Sequence, residues 1–376
     1  MTFAIISHVN HYYSQNQYWA YAPYVREMNI WLKHVDKVII VAPCEKNDKG
    51  VIDLAYQHHQ IHFKKVKSFD IKTLKALLNT FIALPTIFVN VFRAMQNADH
   101  IHLRCPGNMG LVGAIVQIFF PGKTKTAKYA GNWDPKAKQP FTYKLQRWIL
   151  GNTFLTKNMQ VLVYGEWENQ TKNIKPFFTA TYSSEDIENL ETQTQTLKFQ
   201  EPIRFVFVGT LSVGKQPLYA LKLIEELNKK GLQVSIEFYG EGKQTEILSN
   251  YIESNDLNKI AFLRGNQSKE TLLSTYKKSD FLLLPSKSEG WPKVVAEAMF
   301  WGCLPVALPV SCVPYMMGNG SRGIMLEGKL FEDSNQLVKV INNPTLYQKM
   351  TFEAQSWAQQ FTTNKFETEI RKLLKG

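Results

Sequence analysis

Short apolar runs alternate with longer helical patterns along this 376-residue chain, and the alternation starts twice. In the first half the apolar runs include FAIIS, KVIIVAP, HIHLR and QVLVYG, and in the second half they include RFVFVG, FLLLPS and LPVAL. Strands that alternate with helices form parallel sheets whose two faces are both covered by helices. A chain of this length also exceeds what one hydrophobic core usually organises. The sequence therefore predicts an α/β protein with two Rossmann-like, doubly wound domains.

A polar and acidic stretch separates the two alternations. Residues 179–201 read TATYSSEDIENLETQTQTLKFQE and contain few large aliphatic side chains, which is typical of an interdomain connection. We therefore predict a first domain over residues 1–182, a linker over 183–202 and a second domain over 203–360. Residues 361–376 continue a helical pattern, and the sequence leaves open whether this helix crosses back to the first domain or packs on its own.

The segment from Phe281 to Pro305, FLLLPSKSEGWPKVVAEAMFWGCLP, carries the strongest chemical signal. An apolar strand ends there in a polar loop, and we predict that a helix begins at Pro292, because proline suits the first helical turn. The amides of Lys293 and Val294 then point out of the helix end. The partial positive charge at this end of a helix favours an anion such as a diphosphate.

Two glutamates flank the predicted helix start, because Glu289 precedes it and Glu297 lies inside the helix. Either acid, taken alone, could simply favour the helix dipole. Carboxylates also accept hydrogen bonds from sugar hydroxyls. One acid could therefore hold a transferred sugar and the other a ribose, with the diphosphate held between them.

The sequence PSKSEGWPKVVAEAMFWGCLPV, residues 285–306, resembles the hallmark of the retaining GT-B glycosyltransferases of family 4, in which two glutamates are separated by seven residues. Three further segments follow the order of that family: FVFVGTLSVGK, EFYGEG and FLRG. The resemblance is strong from about residue 203 to 310. It implies two Rossmann-like domains that face each other across a cleft, and retaining sugar transfer from a nucleotide-sugar without a bound metal or other cofactor.

By this resemblance Glu289 contacts the sugar hydroxyls, Glu297 the ribose and Lys215 the diphosphate, while Gly209 lets the backbone approach the phosphates. Many relatives have arginine where this chain has Thr210. Lys215 then carries more of the phosphate charge, with Lys293 or Arg264 assisting. The other candidate substrate-binding residues in this half are Gly240, Gly242, Gly290, Trp291, Pro292 and Val294.

The first half departs further from the family, since HVNHYYSQNQYW replaces the glycine-rich loop after the first strand. Where relatives carry a histidine near the reacting sugar, this chain reads KYAGNWDP. We therefore name Asn132 as a candidate catalytic residue and Asp134 as a candidate sugar contact. Arg104 follows the strand IHL, and both a cleft role and a structural role stay open for it.

The net charge of +12 favours an anionic partner. We find no nucleic-acid-binding module and expect no nucleic acid partner. Leu74–Met95 has a wide apolar face interrupted by Pro85, and the neighbouring lysines suit an anionic membrane surface, although a core helix is equally compatible with the pattern. Those lysines are Lys64, Lys65, Lys67, Lys72 and Lys75.

The cysteines and histidines give little sign of a metal site. Four cysteines lie far apart, so we expect reduced thiols in the cytoplasm. The N-terminus lacks a basic region and reads as a strand, not as a signal peptide. His58, His59 and His62 could bind a metal, but a solvated basic surface is the preferred interpretation because no cysteine or carboxylate set completes a site.

The sequence thus predicts a metal-independent, hexosyltransferase-type enzyme that moves a sugar from a nucleotide-sugar to a lipid-linked or polysaccharide acceptor in cell-surface glycan biosynthesis. Two alternatives stay open. One is a non-catalytic protein that binds nucleotide-sugars or glycans, and the other is a nucleotide-sugar epimerase. The sugar, the base and the acceptor depend on pocket shapes that spacing does not define.

Overall fold

The computed structural model describes residues 1–45, 53–68, 74–188, 199 and 201–375, and the side chains of all of these except 74–82. The chain divides into two compact units. The first unit is Met1–Phe178 together with Phe366–Gly376, and the second is Thr179–Lys365. Much of the predicted linker lies outside the described residues, as does Lys72.

The first unit contains ten strands and four complete helices within the described ranges. The strands are β1 (Thr2–Ile6), β2 (His11–Ser14), β3 (Gln17–Tyr21), β4 (Lys37–Glu45), β5 (Asp53–Ala55), β6 (Ile61–Val66), β7 (His100–Cys105), β8 (Thr124–Tyr129), β9 (Met159–Tyr164) and β10 (Ile174–Phe177). The helices are α1 (Ala22–Leu32), α2 (Leu74–Gln96), α3 (Asn108–Val116) and α4 (Phe141–Gly151). A 3₁₀ turn, Gln117–Phe119, follows α3.

The parallel core of the first sheet has the order β6-β4-β1-β7-β8-β9-β10. The strand order reverses between β1 and β7, which is the doubly wound arrangement. The strands are buried because helices cover them, and β1 and β4 consist almost entirely of buried apolar residues. The predicted Rossmann-like fold is confirmed for this unit.

A β-hairpin follows β1 in place of the glycine-rich loop of the family. Strands β2 and β3 pair antiparallel around Gln15 and Asn16, which have φ values of 54° and 57°. Positive φ at both central residues is typical of a type I′ turn. Strand β2 also pairs with the end of β4, and β3 pairs with β5. The sequence analysis did not anticipate this hairpin.

The predicted helix over residues 74–95 is confirmed, since α2 runs from Leu74 to Gln96 and continues through Pro85. Pro85 is exposed, so the carbonyl group that loses its helical partner can face water. Farther along, Ile87, Val91 and Met95 pack into the core of the unit. The part of α2 whose side chains are described, residues 83–96, therefore packs one face into the core of the unit. Among the described helices, none has the length and apolar character needed to cross a membrane.

Within its described residues, the second unit contains six strands: β11 (Ile203–Val208), β12 (Val234–Tyr239), β13 (Ala261–Gly265), β14 (Phe281–Leu284), β15 (Leu304–Ala307) and β16 (Ile324–Met325). Its helices are α5 (Ser184–Glu188), α6 (Pro217–Lys229), α7 (Thr245–Ser254), α8 (Lys269–Lys278), α9 (Lys293–Phe300), α10 (Val313–Met316), α11 (Leu330–Ile341) and α12 (Pro344–Ala358). All strand pairs are parallel, and the order is β13-β12-β11-β14-β15-β16. This is the Rossmann order 3-2-1-4-5-6, so the predicted fold is confirmed here as well.

The last helix, α13 (Thr363–Lys375), packs on the first unit. The ring of Phe366 contacts the rings of Phe177 and Phe178. Glu367 forms an ion pair with Lys33 at 3.3 Å, and its Oε1 is hydrogen-bonded to Nε2 of His34 at 2.8 Å. The C-terminal residues therefore belong to the first unit, although they follow the second unit in the sequence.

Candidate functional site

The strand order of the second sheet reverses between β11 and β14, which pair in parallel with Phe205 beside Phe281. In open α/β sheets, ligands bind at the carboxyl ends of the strands on either side of such a switch point. Two loops leave these ends, one over residues 209–216 and one over residues 285–292. The first contains the glycine turn and the second leads into α9. The principal candidate residues predicted from the sequence lie on these two loops.

Three contacts join the two loops. The amide of Lys287 donates to the carbonyl oxygen of Gly214 at 2.9 Å, and Nε2 of Gln216 donates to the carbonyl oxygen of Pro285 at 2.5 Å. The third contact is an ion pair of 2.5 Å between Nζ of Lys215 and Oε1 of Glu289. The two residues predicted to hold the diphosphate and the sugar are thus in direct contact.

The Lys215–Glu289 pair is accessible from one side. The Glu289 side chain is 8% exposed, whereas that of Lys215 is 29% exposed. An ammonium group has three N–H donors, so Lys215 can bond to an anion while it keeps its bond to the carboxylate. Glu289 fixes the position of this cation before a ligand arrives. This arrangement of a held, partly exposed cation suits a phosphate group.

The glycines of the turns fall into two kinds. A Cβ atom at Gly240 would lie 2.1 Å from the carbonyl oxygen of Gly209, and one at Gly242 would lie 2.3 Å from that of Leu211. These two glycines are needed because the loops after β11 and β12 pack backbone against backbone. A Cβ atom at Gly209 would meet no described atom within 4 Å, and its φ is 151°. Gly209 therefore borders open space, as the predicted close approach of a ligand requires.

Helix α9 begins at Lys293, one residue later than predicted, and Pro292 is its N-cap. The ψ of Pro292 is 92°, which is extended, so proline precedes the helix instead of opening it. The amide of Val295 donates to the carbonyl oxygen of Pro292 at 2.9 Å. The amides of Lys293 and Val294 precede this first helical bond and lie in the terminal turn, where helical amides lack intrahelical acceptors.

Glu297 lies inside α9 and already has hydroxyl partners. Oγ1 of Thr181 donates to its Oε1 at 2.8 Å, and the hydroxyl of Tyr276 donates to its Oε2 at 3.4 Å. Burial, and next the charge of Glu297, raises the pKa of Tyr276 well above its ordinary value, so this hydroxyl stays a donor. The carboxylate lines a cavity of about 20 Å³, which has room for a water molecule but not for a ribose.

Two neighbouring candidates of the α9 loop have structural contacts. Trp291 is 8% exposed, and its ring packs near those of Trp357 and Phe361 at centroid distances of 6.2 and 6.1 Å. The carbonyl oxygen of Gly290 accepts a hydrogen bond from Sγ of Cys312 at 2.9 Å. These contacts hold the loop that carries Glu289 against the rest of the second unit.

Arg264, predicted to assist with the diphosphate, is paired with an acid. Its Nη2 lies 2.6 Å and its Nε 2.9 Å from Oε1 of Glu237, and its guanidinium lies 4.9 Å from the ring centre of Phe262. Thr210, where many relatives have arginine, is exposed beside Gly209. The charge of Arg264 is therefore largely opposed by Glu237, whereas Lys215 lies on a loop of the switch point.

The first unit has its own switch point, between β1 and β7. Arg104 lies at the end of β7, where its Nη1 is 3.6 Å from Oε2 of the buried Glu27 and its guanidinium lies over the ring of Tyr24. His8 lies in the loop after β1, and a Cβ atom at Gly107 would be 2.8 Å from its Nδ1. Burial, and next the charge of Arg104, lowers the pKa of His8. The sequence analysis missed His8, although its position directly after the first strand is a usable signal.

The other candidates of the first unit organise their own loop. The amide of Asp134 donates to Oδ1 of Asn132 at 2.8 Å, and the amide of Lys136 donates to Oδ1 of Asp134 at 2.8 Å. A hydrogen bond between the side-chain oxygen of Asn or Asp and the backbone amide two residues later forms an Asx turn. The structure does not bring Asn132 and Asp134 into contact with Arg104. Among the described residues, no group of three His, Cys, Asp or Glu side chains is placed to hold a metal ion.

Comparison with known proteins gives a family for part of the chain. Residues 189–357 match the family described as Glycosyl transferases group 1. An uncharacterized glycosyltransferase of Methanocaldococcus jannaschii is 26% identical over 38% of this chain and 41% of its own length. One of Haemophilus influenzae is 28% identical over 44% of this chain and 47% of its own length. This chain thus spans less than half the length of these two relatives.

Other matches extend over nearly the whole chain. Protein CapJ of Staphylococcus aureus is 22% identical over 85% of this chain and 80% of its own length. The structure of HepE of Anabaena in complex with UDP has a TM-score of 0.69 at 14% identity and covers 100% of this chain and 99% of that one. Sucrose-phosphate synthase of Thermosynechococcus elongatus has a TM-score of 0.67 at 14% identity and covers 100% and 98%. At this identity the likeness shows the GT-B fold alone.

Proposed function

We propose that the protein is a retaining, metal-independent glycosyltransferase of the hexosyl-transferring type, because residues 189–357 match the family Glycosyl transferases group 1 and the chain has the GT-B fold. The observation that carries the proposal is the ion pair of Lys215 with Glu289, which joins the two loops of the switch point. A cation held there by a carboxylate suits a nucleotide diphosphate and the sugar attached to it. No cofactor beyond the nucleotide-sugar is needed.

The donor binds between the glycine turn and the start of α9. Lys215 and the amides of the terminal turn of α9 face the diphosphate, while open space beside Gly209 admits the phosphates. Glu289 accepts hydrogen bonds from the sugar. Glu297 accepts them from the ribose once Thr181 releases the carboxylate and the cavity of about 20 Å³ beside it widens. HepE and the pneumococcal transferase GtfA were crystallised with UDP, so UDP-hexoses are the first donors to test.

The chemistry relies on fixed charges. The bond between the anomeric carbon and the diphosphate oxygen breaks, and Lys215 and the helix amides stabilise the negative charge that grows on the leaving group. The acceptor hydroxyl attacks the same face of the sugar and gives its proton to the departing phosphate oxygen. The new glycosidic bond therefore keeps the anomeric configuration of the donor.

We propose a lipid-linked or polysaccharide acceptor of the cell surface, used at the cytoplasmic face of the plasma membrane. The net charge of +12 supports an acceptor that carries negative charge, such as a lipid-linked phosphate. The switch point of the first unit, with His8 and Arg104, is the proposed place of the acceptor. Asn132 and Asp134 then contribute by shaping the adjoining loop.

The test incubates the purified protein with UDP-, GDP- and ADP-hexoses and with lipid-linked and oligosaccharide acceptors, with and without EDTA. Mass spectrometry identifies the product, and NMR reads its anomeric configuration. We expect transfer with retention that survives EDTA and is lost in Glu289→Ala, but not in Lys287→Ala, whose side chain is exposed on the same loop. Unchanged turnover in Glu289→Ala would contradict the site.

The same experiment separates the alternatives. Tight nucleotide binding without a product on any acceptor would identify a binding protein. Conversion of the donor sugar without an acceptor would identify an epimerase. Inverted configuration in the product would exclude the retaining mechanism but keep the transferase.

A further inference from the structure

The outer face of α4 and the loop after it carry large aromatic side chains that are open to solvent. Phe141 is 78% exposed, Trp148 61% and Phe154 75%. Phe141 and Trp148 are seven residues apart, so they lie on the same face of the helix. Phe154 follows three residues after the end of α4 at Gly151. Exposed aromatic side chains grouped in this way mark an interaction surface.

The chain segment that carries these rings is basic. Residues 135–165 contain five basic residues and no Asp or Glu, namely Lys136, Lys138, Lys144, Arg147 and Lys157. Lys144 is exposed between Phe141 and Trp148 on the same helix. Nζ of Lys157 lies 5.4 Å from the ring centre of Phe154. The rings are therefore flanked by cations that can reach an anionic partner.

The surface continues onto the neighbouring 3₁₀ turn. Nε2 of Gln117 donates to the carbonyl oxygen of Leu155 at 3.0 Å, which ties the turn to the loop that carries Phe154. Phe119 of this turn is 61% exposed, and its ring lies 6.4 Å from that of Phe88 on α2. Exposed aromatic side chains thus occur on adjoining elements of one unit.

We propose that Phe141, Trp148 and Phe154, with Lys144 and Lys157, form a docking surface for an anionic lipid bilayer. Aromatic side chains favour the boundary between headgroups and acyl chains, and lysines beside them are attracted to anionic lipids. The proposal builds on the proposed function, since a lipid-linked acceptor lies in such a bilayer. It differs from the sequence-based docking through α2, whose residues Ile87, Val91 and Met95 pack into the core while Phe88 and Val89 are exposed.

A second copy of the chain fits this surface less well. In a twofold dimer the same patch of each subunit meets itself. Lys144 and Lys157 would then face their own counterparts without an acidic residue from 135–165 to offset them. An anionic bilayer supplies the opposite charge over the whole surface.

The first test is sedimentation with extruded vesicles of phosphatidylcholine alone and of phosphatidylcholine mixed with phosphatidylglycerol. We expect binding to the mixed vesicles at low salt and about a ten-fold or larger loss of partitioning in the triple variant Phe141→Ser, Trp148→Ser, Phe154→Ser. The matched control is Phe331→Ser, Phe352→Ser, because these rings are 63% and 67% exposed on the second unit. Circular dichroism checks that every variant is folded.

The second test reverses the charges. The double variant Lys144→Glu, Lys157→Glu should weaken binding to the mixed vesicles by about 30-fold or more, because each lysine lost reduces binding about five-fold. The control Lys243→Glu with Lys349→Glu makes the same charge change at exposed lysines of the second unit. Equal binding of the surface and control variants would overturn the proposal, and so would failure of the unaltered protein to bind mixed vesicles.

Two readouts separate this inference from its rivals. Light scattering of the triple variant without lipid reports whether the surface instead joins two copies, since loss of a dimer would overturn membrane docking. Transfer to a water-soluble acceptor is measured in parallel and should be unchanged in these variants. Vesicle binding without any transfer would refute the proposed function and leave the docking surface standing.

Discussion

The two units place different chemistry at equivalent positions of the same strand order. At the switch point of the second unit, the ion pair of Lys215 and Glu289 joins the loops after β11 and β14. At that of the first unit, His8 lies beside Gly107, and Arg104 is opposed by the buried Glu27. The switch point of the second unit offers a fixed cation to a leaving diphosphate. The switch point of the first unit offers the imidazole of His8, whose lowered pKa keeps it neutral near pH 7.

The units also differ in how they respond to acid. All eight histidines of the chain lie within residues 1–102, so the second unit has none. Burial lowers the pKa of His11 and that of His100 to about 4. In the second unit burial instead raises the pKa of Asp280 to about 6. Acidification should therefore weaken one unit and favour the other.

The largest expected effect is a loss of folding stability of the first unit as the pH falls below 6.5. Between pH 6.5 and 4 the unfolded chain protonates His11 and His100 while the folded chain does not, so stability falls as the pH falls. Each histidine contributes about 3 kcal/mol over this range. Asp280 is neutral in the folded state up to about pH 6 but only to about 3.8 when unfolded, so its contribution rises as the pH falls.

Hydrogen exchange read by mass spectrometry at pH 7 and pH 4.5, corrected for the intrinsic rate, checks this contrast. Peptides of β1 and β7 should lose protection, and peptides of β11 and β14 should keep it. Uniform loss across both units would show that the buried histidines do not control the acid response.

The next effect is on catalysis and concerns the second switch point. Lys215→Met removes the cation that faces the leaving group, and we expect kcat to fall about 100- to 1000-fold, as for other preorganised groups that stabilise growing charge. Lys287→Met is the control, because only the backbone of Lys287 is bonded to the glycine turn. Kinetics at saturating donor provide the measurement. A change confined to the donor KM would show that Lys215 binds the donor equally in the ground state and the transition state.

The difference between the units explains what the sequence could and could not reveal. The doubly wound fold and the positions of Glu289, Lys215 and Gly209 on loops after strands were predictable, because each residue lies in a single strand-loop-helix pattern. Their chemistry stays a prediction. The contact between Lys215 and Glu289 was not predictable, since they are 74 residues apart. The pairing of Arg264 with Glu237 was missed for the same reason, as both were considered only within their own segments.

The first unit was harder to predict because its site is assembled from distant positions. His8, Glu27 and Arg104 meet only when β1 and β7 pair. The hairpin β2–β3 also lacks the usual signal, since its turn is Gln15–Asn16 and not Asn-Gly. The strands themselves were predictable because burial on both faces gives continuous apolar runs.

A smaller effect separates the two kinds of glycine in the second unit. Gly240→Ala forces a methyl group against the backbone of Gly209, and we expect it to lower the free energy of unfolding by about 3 kcal/mol. Gly209→Ala meets open space and suffers only from its positive φ, at a cost of about 1 kcal/mol. Urea denaturation measures both. Gly209→Ala should nevertheless reduce transfer, because its methyl group enters the space proposed for the phosphates, and full activity in this variant would move the phosphates elsewhere.

The smallest expected effect tests whether the first switch point handles the acceptor. His8→Ala removes one hydrogen-bonding group beside Gly107, so we expect the acceptor KM to rise about ten-fold, which is the size of a single lost hydrogen bond. Donor binding should stay unchanged, because that site belongs to the second unit. His62→Ala is the control, since His62 is exposed on β6. Steady-state kinetics with each substrate varied in turn distinguish the two units, and a rise in the donor KM instead would mean that the first switch point serves the nucleotide-sugar.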